Sequence, residues 1–356
     1  MGQCFTSSRD RRVTQRELRA AAMERDYLNR IIEMEKELSL RDEELTRWRG
    51  QSGRSGQLDR TNNLQQRDRD WVINRNEIEI RSDQKLGEGA WASVYRGKFR
   101  GHDVAVKEMY PDIMSNRHIE AFMREAEMAS RCRHPCLLQF IGATTDERLV
   151  IITEIMECSL RTRLYNQDEP PLCEREITII SLDVAKALNY LHQQPQPINH
   201  HDISSGNVLL WRDGHQWRAK VSDYGTVNFV FRANINYAGA ANYCAPEFLN
   251  PDPLTPISCK VDVFSFGVLL CEMCIRDQPA PDDRDRQIDE IKNLNYRRLV
   301  RRCVLILPRG RPSMDEVIDE LQASMSNTHQ LQGPESRRIS SAWEAIGGDG
   351  LTIVDC

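Results

Sequence analysis

The sequence predicts an α+β fold in two unequal lobes, a small strand-rich part followed by a larger helical part. Two observations predict it. Residues 77–107 alternate apolar and polar side chains with glycine punctuation, the period of strands buried on one face. From about Glu174 the apolar residues recur at helical spacing, over 174–193, 258–275, 287–304 and 313–323. Strands grouped first and helices afterwards give α+β rather than an alternating α/β sheet. A helix at 117–131 and a strand at 148–154 lie between the two groups.

The 356 residues suffice for one large core, here residues 71–323, with an extension at each end. The net charge of −5 is mild and does not point to nucleic acid. No apolar run reaches the roughly 18 to 20 residues of a membrane span, and the N-terminus lacks the apolar stretch of a secretory signal. Eleven cysteines without a repeating spacing suit reduced thiols in the cytoplasm. Cys271 and Cys274 form C-x-x-C inside an apolar helical run. With no second pair to complete a zinc site, they read as two small side chains on one helix face.

The N-terminal extension divides into three. Residues 1–13 are polar and arginine-rich, and Met1-Gly-Gln-Cys-Phe-Thr6 fits the pattern for a myristoyl chain on Gly2. One such chain anchors only marginally. Cys4 offers a site for a palmitoyl chain, and Arg9, Arg11, Arg12, Arg16 and Arg19 offer attraction to anionic lipid. The expectation is a cytoplasmic protein at the inner face of a membrane. Residues 14–49 contain no Gly or Pro and read as one long helix. Tyr27, Ile31, Met34, Leu38, Arg41, Leu45 and Trp48 recur at steps of four and three, a coiled-coil seam that would pair two copies through residues 20–49. The competing reading is a single amphipathic helix. Residues 50–70 are Gly-, Ser- and Asn-rich and charged, the composition of a flexible linker. Residues 324–356 are polar again and read as a disordered tail.

The chemistry-bearing pieces follow in chain order. Leu86-Gly-Glu-Gly-Ala-Trp-Ala-Ser-Val94 is a glycine-rich turn between strands; Gly87 and Gly89 let phosphate oxygens approach backbone N–H donors. Val104-Ala-Val-Lys107 ends an apolar strand in an ammonium, 18 residues after Gly89. That ammonium needs a carboxylate to fix it, and the helix 117–131 offers Glu125, beside the stripe Ile119, Phe122, Ala126 and Ala129, with Glu127 as rival. His200-His-Asp-Ile-Ser-Ser-Gly-Asn207 sets Asp202 and Asn207 five apart on a loop. An in-line phosphoryl transfer needs a carboxylate to orient the attacking hydroxyl and an amide oxygen for a metal ion on the phosphates. Asp223-Tyr-Gly225 adds a second hard oxygen ligand of the kind Mg²⁺ takes. Ala245-Pro-Glu247, Asp262-Val-Phe-Ser-Phe-Gly267 and Arg311-Pro312 complete the series.

Each piece alone is a common turn or a solvated charge. In this order and spacing they resemble the eukaryotic protein kinase family over about 245 residues. Trp71-Val-Ile, Phe99-Arg-Gly and Phe140-Ile-Gly142 are similar to the tyrosine-kinase-like group. The resemblance implies an ATP- and Mg²⁺-dependent transfer to a protein hydroxyl, with Ser or Thr favoured from the group. Lys107, paired with Glu125, would hold the α and β phosphates, Asn207 and Asp223 the metal, and Asp202 the acceptor proton. It also implies a hinge at Glu154 to Met156 gated by Thr153, an adenine slot lined by Val94, Ala105 and Leu209, and a buried Glu247–Arg311 pair. Thr226, Tyr237 and Tyr243 stand where activation-segment phosphosites occur.

Two departures from the family pattern matter. His201 replaces the arginine that usually receives an activation-segment phosphate. Ser204 and Gly206 stand where kinases place a lysine or arginine near the moving phosphoryl group. An inactive, nucleotide-binding signalling scaffold is therefore the alternative class.

Overall fold

Three successive strands open the folded part: β1 (Ile78–Glu88), β2 (Ala92–Phe99) and β3 (His102–Met109). The computed structural model describes residues 70–89, 92–111, 116–146, 148–224, 241–250 and 257–331. The expected acylation sites Gly2 and Cys4, the coiled-coil helix, the linker up to residue 69, Thr226 and Tyr237, and the chain after residue 331 lie outside the described residues.

With β4 (Phe140–Ala143) and β5 (Val150–Thr153) these strands form an antiparallel sheet in the order β1-β2-β3-β5-β4. Strand alternation divides its faces. Val104, Val106, Val150 and Ile152 point one way and bury themselves against Ile78. Lys107 lies opposite Val94 on β2 and Ile151 on β5, while Ala105 lies opposite Thr153. Val94, Ala105, Lys107 and Thr153 therefore share the other face. The register alone aligns four residues expected around a nucleotide.

Helix α1 (Asn116–Arg131) follows β3 and buries Phe122, Ala126 and Ala129, whereas Ile119 of the expected stripe is exposed. Trp71 packs edge-on against Phe140 and donates to Glu127, while its carbonyl accepts from Ala143 N–H at 3.0 Å. A Cβ on Gly142 would lie 2.8 Å from Ile73 and 2.9 Å from the Trp71 carbonyl, so only glycine fits between that lead-in and β4.

The larger part is built on helices α2 (Leu160–Tyr165), α3 (Glu174–His192), α4 (Pro246–Leu249), α5 (Lys260–Ile275), α6 (Arg284–Glu290), α7 (Leu294–Cys303) and α8 (Met314–Leu331). In α5 every residue from Val261 to Met273 is buried, the pattern of a helix at the centre of a core. Cys271 is buried there, Cys274 is half-buried, and desolvation pushes both thiols up. A small antiparallel sheet of β6 (Cys158–Ser159), β7 (Val208–Asp213) and β8 (Gln216–Val221) completes this part. Its hairpin turns at Gly214, where φ is +62°.

Two helix expectations need correction. The predicted helix 287–304 is two, because Asn293 takes extended backbone and its side-chain oxygen accepts from the N–H groups of Asn295 and Tyr296, starting α7 afresh. The predicted tail from residue 324 begins as helix: α8 continues to Leu331, since no breaker intervenes before Gly333-Pro334 and Met325 packs on the core.

Candidate active site

The loop between α3 and β7 carries residues 200–207, and one buried carboxylate shapes it. Asp262 on α5 accepts from the backbone N–H groups of His200 and His201 and from the His192 ring, each at 2.8 Å. Burial pushes its carboxyl up, but the His192 hydrogen bond and the nearby histidines outweigh this and hold it below its ordinary value. A carboxylate only accepts, so His192 donates through Nε2. The clamp holds His201 in the left-handed region, φ +66°.

His200 carries the next link. Its Nδ1 accepts from Asp202 N–H at 3.2 Å and its Nε2 lies 2.8 Å from the Ser222 carbonyl, to which it donates. This fully buried ring ties the Asp202 loop to the strand end before Asp223. Asn207 strengthens the tie: its amide nitrogen donates to the Asp202 carbonyl and carboxylate, both at 2.8 Å, and its carbonyl accepts from Ser222 N–H and Oγ. With its NH₂ committed to Asp202, the side-chain oxygen of Asn207 remains as an acceptor. Burial raises the Asp202 carboxyl, the direction that suits a group receiving a proton.

Asp223 adopts φ +55° and reaches the sheet. Its Oδ1 lies 2.6 Å from Lys107 Nζ. Burial raises the Asp223 carboxyl, yet the ammonium outweighs that and holds it below the ordinary range. Lys107 moves oppositely: desolvation pulls it down, and the charges of Asp223, Glu125 and Asp202 carry it above its ordinary value. Tyr224 is buried behind Asp223 and donates its hydroxyl to the Leu138 carbonyl at 2.7 Å.

The expected Lys107–Glu125 pair is not made as a direct contact; the ammonium bonds Asp223 instead. Glu125 lies within the field of both groups. Burial raises its carboxyl, Lys107 lowers it, and the Asp223 charge raises it again. Two carboxylates face one ammonium here, and the one in direct contact with it, Asp223, is the one whose pKa it pulls down. Glu127, the rival, is occupied by Trp71 and Arg131.

Glu154, expected at the hinge, directly follows β5. Its carboxylate accepts from Gln139 N–H at 2.7 Å and from Lys220 Nζ at 2.6 Å, so its side chain braces the hinge. Its backbone carbonyl accepts from Thr153 Oγ1 at 3.2 Å. Met156 is half-buried against the main core, and Leu209 lies on β7 opposite Ser159. Gly87 pairs with Val94, and a Cβ there would meet nothing within 4 Å. The protein's own packing therefore does not require that glycine.

Farther along, Glu247 and Arg311 form a two-pronged ion pair at 2.6 and 2.9 Å. Tyr243, expected as a phosphosite, is buried and donates to Glu272 at 2.6 Å. Sequence reasoning missed Glu272. Its carboxylate also accepts from Ser205 Oγ at 2.8 Å and Tyr165 at 2.9 Å, joining the 200–207 loop, α2 and the segment before α4. A glutamate inside the apolar run of α5 was the available signal.

The protein kinase domain family matches residues 80–338. Among curated relatives, the serine/threonine-protein kinase TNNI3K of Mus musculus is 30% identical over 284 residues, covering 74% of this chain and 33% of its own. The serine/threonine-protein kinase CTR1 of Arabidopsis thaliana is 31% identical over 258 residues, 67% of this chain and 31% of its own. The dual specificity protein kinase shkB of Dictyostelium discoideum is 33% identical over 217 residues, 59% and 32%. The chain spans about a third of the length of these relatives.

Proposed function

This chain belongs to the protein kinase family, and from that premise we propose that it transfers the γ-phosphate of ATP to serine or threonine hydroxyls of a protein at a membrane surface. The observation that carries the reading is the 2.6 Å contact of Lys107 with Asp223, 116 residues apart, beside the Asp202–Asn207 bond. Ammonium, carboxylates and amide meet on one side of the sheet.

The donor set fits Mg²⁺: a carboxylate at Asp223 and an amide oxygen at Asn207 are hard ligands for a cation that keeps several waters. When bound, the ion supplies charge neutralisation on the phosphates. The protein's own groups do the rest. Lys107 binds phosphate oxygens, and Glu125 adds negative potential behind it. Asp202 accepts a hydrogen bond from the acceptor hydroxyl and takes its proton as the new P–O bond forms. The Asn207 bond and the His200 ring keep that carboxylate in place, so positioning provides most of the acceleration.

Activation-segment phosphorylation is not needed for this activity. His201 is buried and stacks on Phe248 with ring centroids 5.0 Å apart, and burial lowers its pKa, which disfavours the charged ring that a phosphate would need. Phosphatase treatment should leave turnover intact; its loss would refute this. Acyl chains on Gly2 and Cys4 would hold the enzyme at the membrane, and residues 20–49 would pair two copies. Gly2→Ala should release the protein into the soluble fraction.

The direct test is phosphate incorporation from Mg-ATP into a generic protein acceptor, wild type against Asp202→Asn. Turnover at least about a hundredfold higher in the wild type supports the enzyme. Equal, near-zero rates support the scaffold reading, which the missing cation at Ser204 and Gly206 favours.

A further inference from the structure

We propose that Arg161 supplies, from helix α2, the positive charge that the catalytic loop lacks at positions 204 and 206. The inference rests on the phosphoryl-transfer reading. It starts from Gly206. The φ of this glycine is outside the left-handed region, so its backbone does not demand glycine. What its missing side chain provides is room. A Cβ at 206 would sit 3.5 Å from Arg161 Cζ, 3.7 Å from Arg161 Nη2 and 3.5 Å from Ser204 Oγ. The guanidinium thus lies in the space into which a residue at 206 would project, next to the side chain at 204.

The placement is built in. Arg161 N–H donates to the Ser205 carbonyl at 2.8 Å, fastening the start of α2 to the loop. Ser159 caps the same helix, accepting from Thr162 N–H, and β6 holds the preceding residues against β7. The charge is also uncommitted. Arg161 is exposed and makes no ion pair within 4.0 Å among the described residues, whereas Arg163, Arg212 and Arg218 each have a carboxylate partner. Its field reaches Glu272 and Tyr243, but the Glu272 carboxylate already accepts from three hydroxyls.

In the transfer, the bond between the γ-phosphorus and the ADP oxygen breaks and ADP leaves with the electron pair. The bond to the acceptor oxygen forms, and the acceptor proton passes to Asp202. Charge spreads over the equatorial oxygens, and a guanidinium beside the loop stabilises it without exchanging a proton.

The test uses the full chain, Mg-ATP and two acceptor peptides, one neutral and one acidic around the acceptor serine. Arg161→Gln should lower kcat by about tenfold or more on both peptides, with the KM for ATP within about twofold. Adding Ser204→Lys to Arg161→Gln should restore most of the loss. An unchanged kcat in Arg161→Gln overturns the proposal. So does a loss that neither Ser204→Lys nor Gly206→Arg repairs in a variant of unchanged Tm, which would mark a structural part only. A change confined to KM for the acidic peptide also overturns it, in favour of substrate docking. Turnover no higher in wild type than in Asp202→Asn removes the phosphoryl-transfer premise, and the proposal with it.

Discussion

Replacing Glu247 with alanine should leave the chain folded but lower its thermal stability by about 6 to 12 °C. The Arg311 side chain is wholly buried and Glu247 is 24% exposed. The guanidinium donates to both carboxylate oxygens, to the Leu305 carbonyl at 2.7 Å, to Lys260 at 2.9 Å and to Ile306 at 3.2 Å, and it stacks over Phe264. Glu247→Ala removes two of these bonds together with the counter-charge, and leaves a cation buried. Breaking such a pair costs about 3–5 kcal/mol. The three carbonyls and the Phe264 ring stay in place, which argues for about 3 kcal/mol. For a domain of this size each kcal/mol moves Tm by about 2–4 °C. Circular dichroism melts of wild type and variant measure the shift. The double change Glu247→Met with Arg311→Leu removes both charges, and its loss should be smaller than the sum of the two single losses. A Glu247→Ala melt within about 2 °C of wild type would refute the reasoning, because the buried guanidinium would then need no partner.

Tyr224→Phe removes the buried hydroxyl bond to Leu138 and should cost about 1–2 kcal/mol in urea unfolding; no change in the midpoint would show the bond to be inconsequential. The Lys107–Asp223 pair sets a pH window. The Asp223 contribution is complete above the unfolded carboxylate value of about 4 and fades as pH falls through its lower folded value. The Lys107 contribution is complete below about 10.4 and fades as pH rises through its higher folded value. The stability gap between wild type and Lys107→Met should therefore be flat from about pH 5 to 9 and narrow below about pH 4; a gap constant down to pH 2 would contradict the pairing. Tyr243 in the folded protein should stay unmodified by a tyrosine kinase, since its hydroxyl is buried on Glu272. Stoichiometric phosphate at Tyr243 by peptide mass spectrometry, with the melt unchanged, would refute that burial.

Much of the site could be read from order and spacing. Asp202 and Asn207 stand five apart on one loop, so their cooperation is a local fact that a short motif carries. The strand alternation Val104-Ala-Val-Lys107 puts the ammonium and Ala105 on one face before any packing is known. The partners that could not be read are those set by long-range contact. Glu125 and Glu127 sit two apart on one helix; the apolar stripe favours Glu125, but nothing local says whether its carboxylate touches the ammonium. His200 stands inside a motif, but its bridge to Ser222 spans 22 residues and exists only once β7 and β8 pair. The helix break at 291–293 and the continuation of α8 were boundary questions, decided by one asparagine cap and one methionine contact.

By itself the sequence determined the two-part α+β architecture, the family, and the identities of the ammonium, carboxylates and amide, because hydrophobic period and motif spacing act over a few residues. The tertiary structure alone decided that Lys107 bonds Asp223 rather than Glu125, that His201 turns inward onto Phe248, and that the Arg161 guanidinium fills the gap left by Gly206. These outcomes are competitions for one charge or one space between segments far apart in the chain. Only packing brings the competitors close enough for burial and Coulomb forces to choose among them.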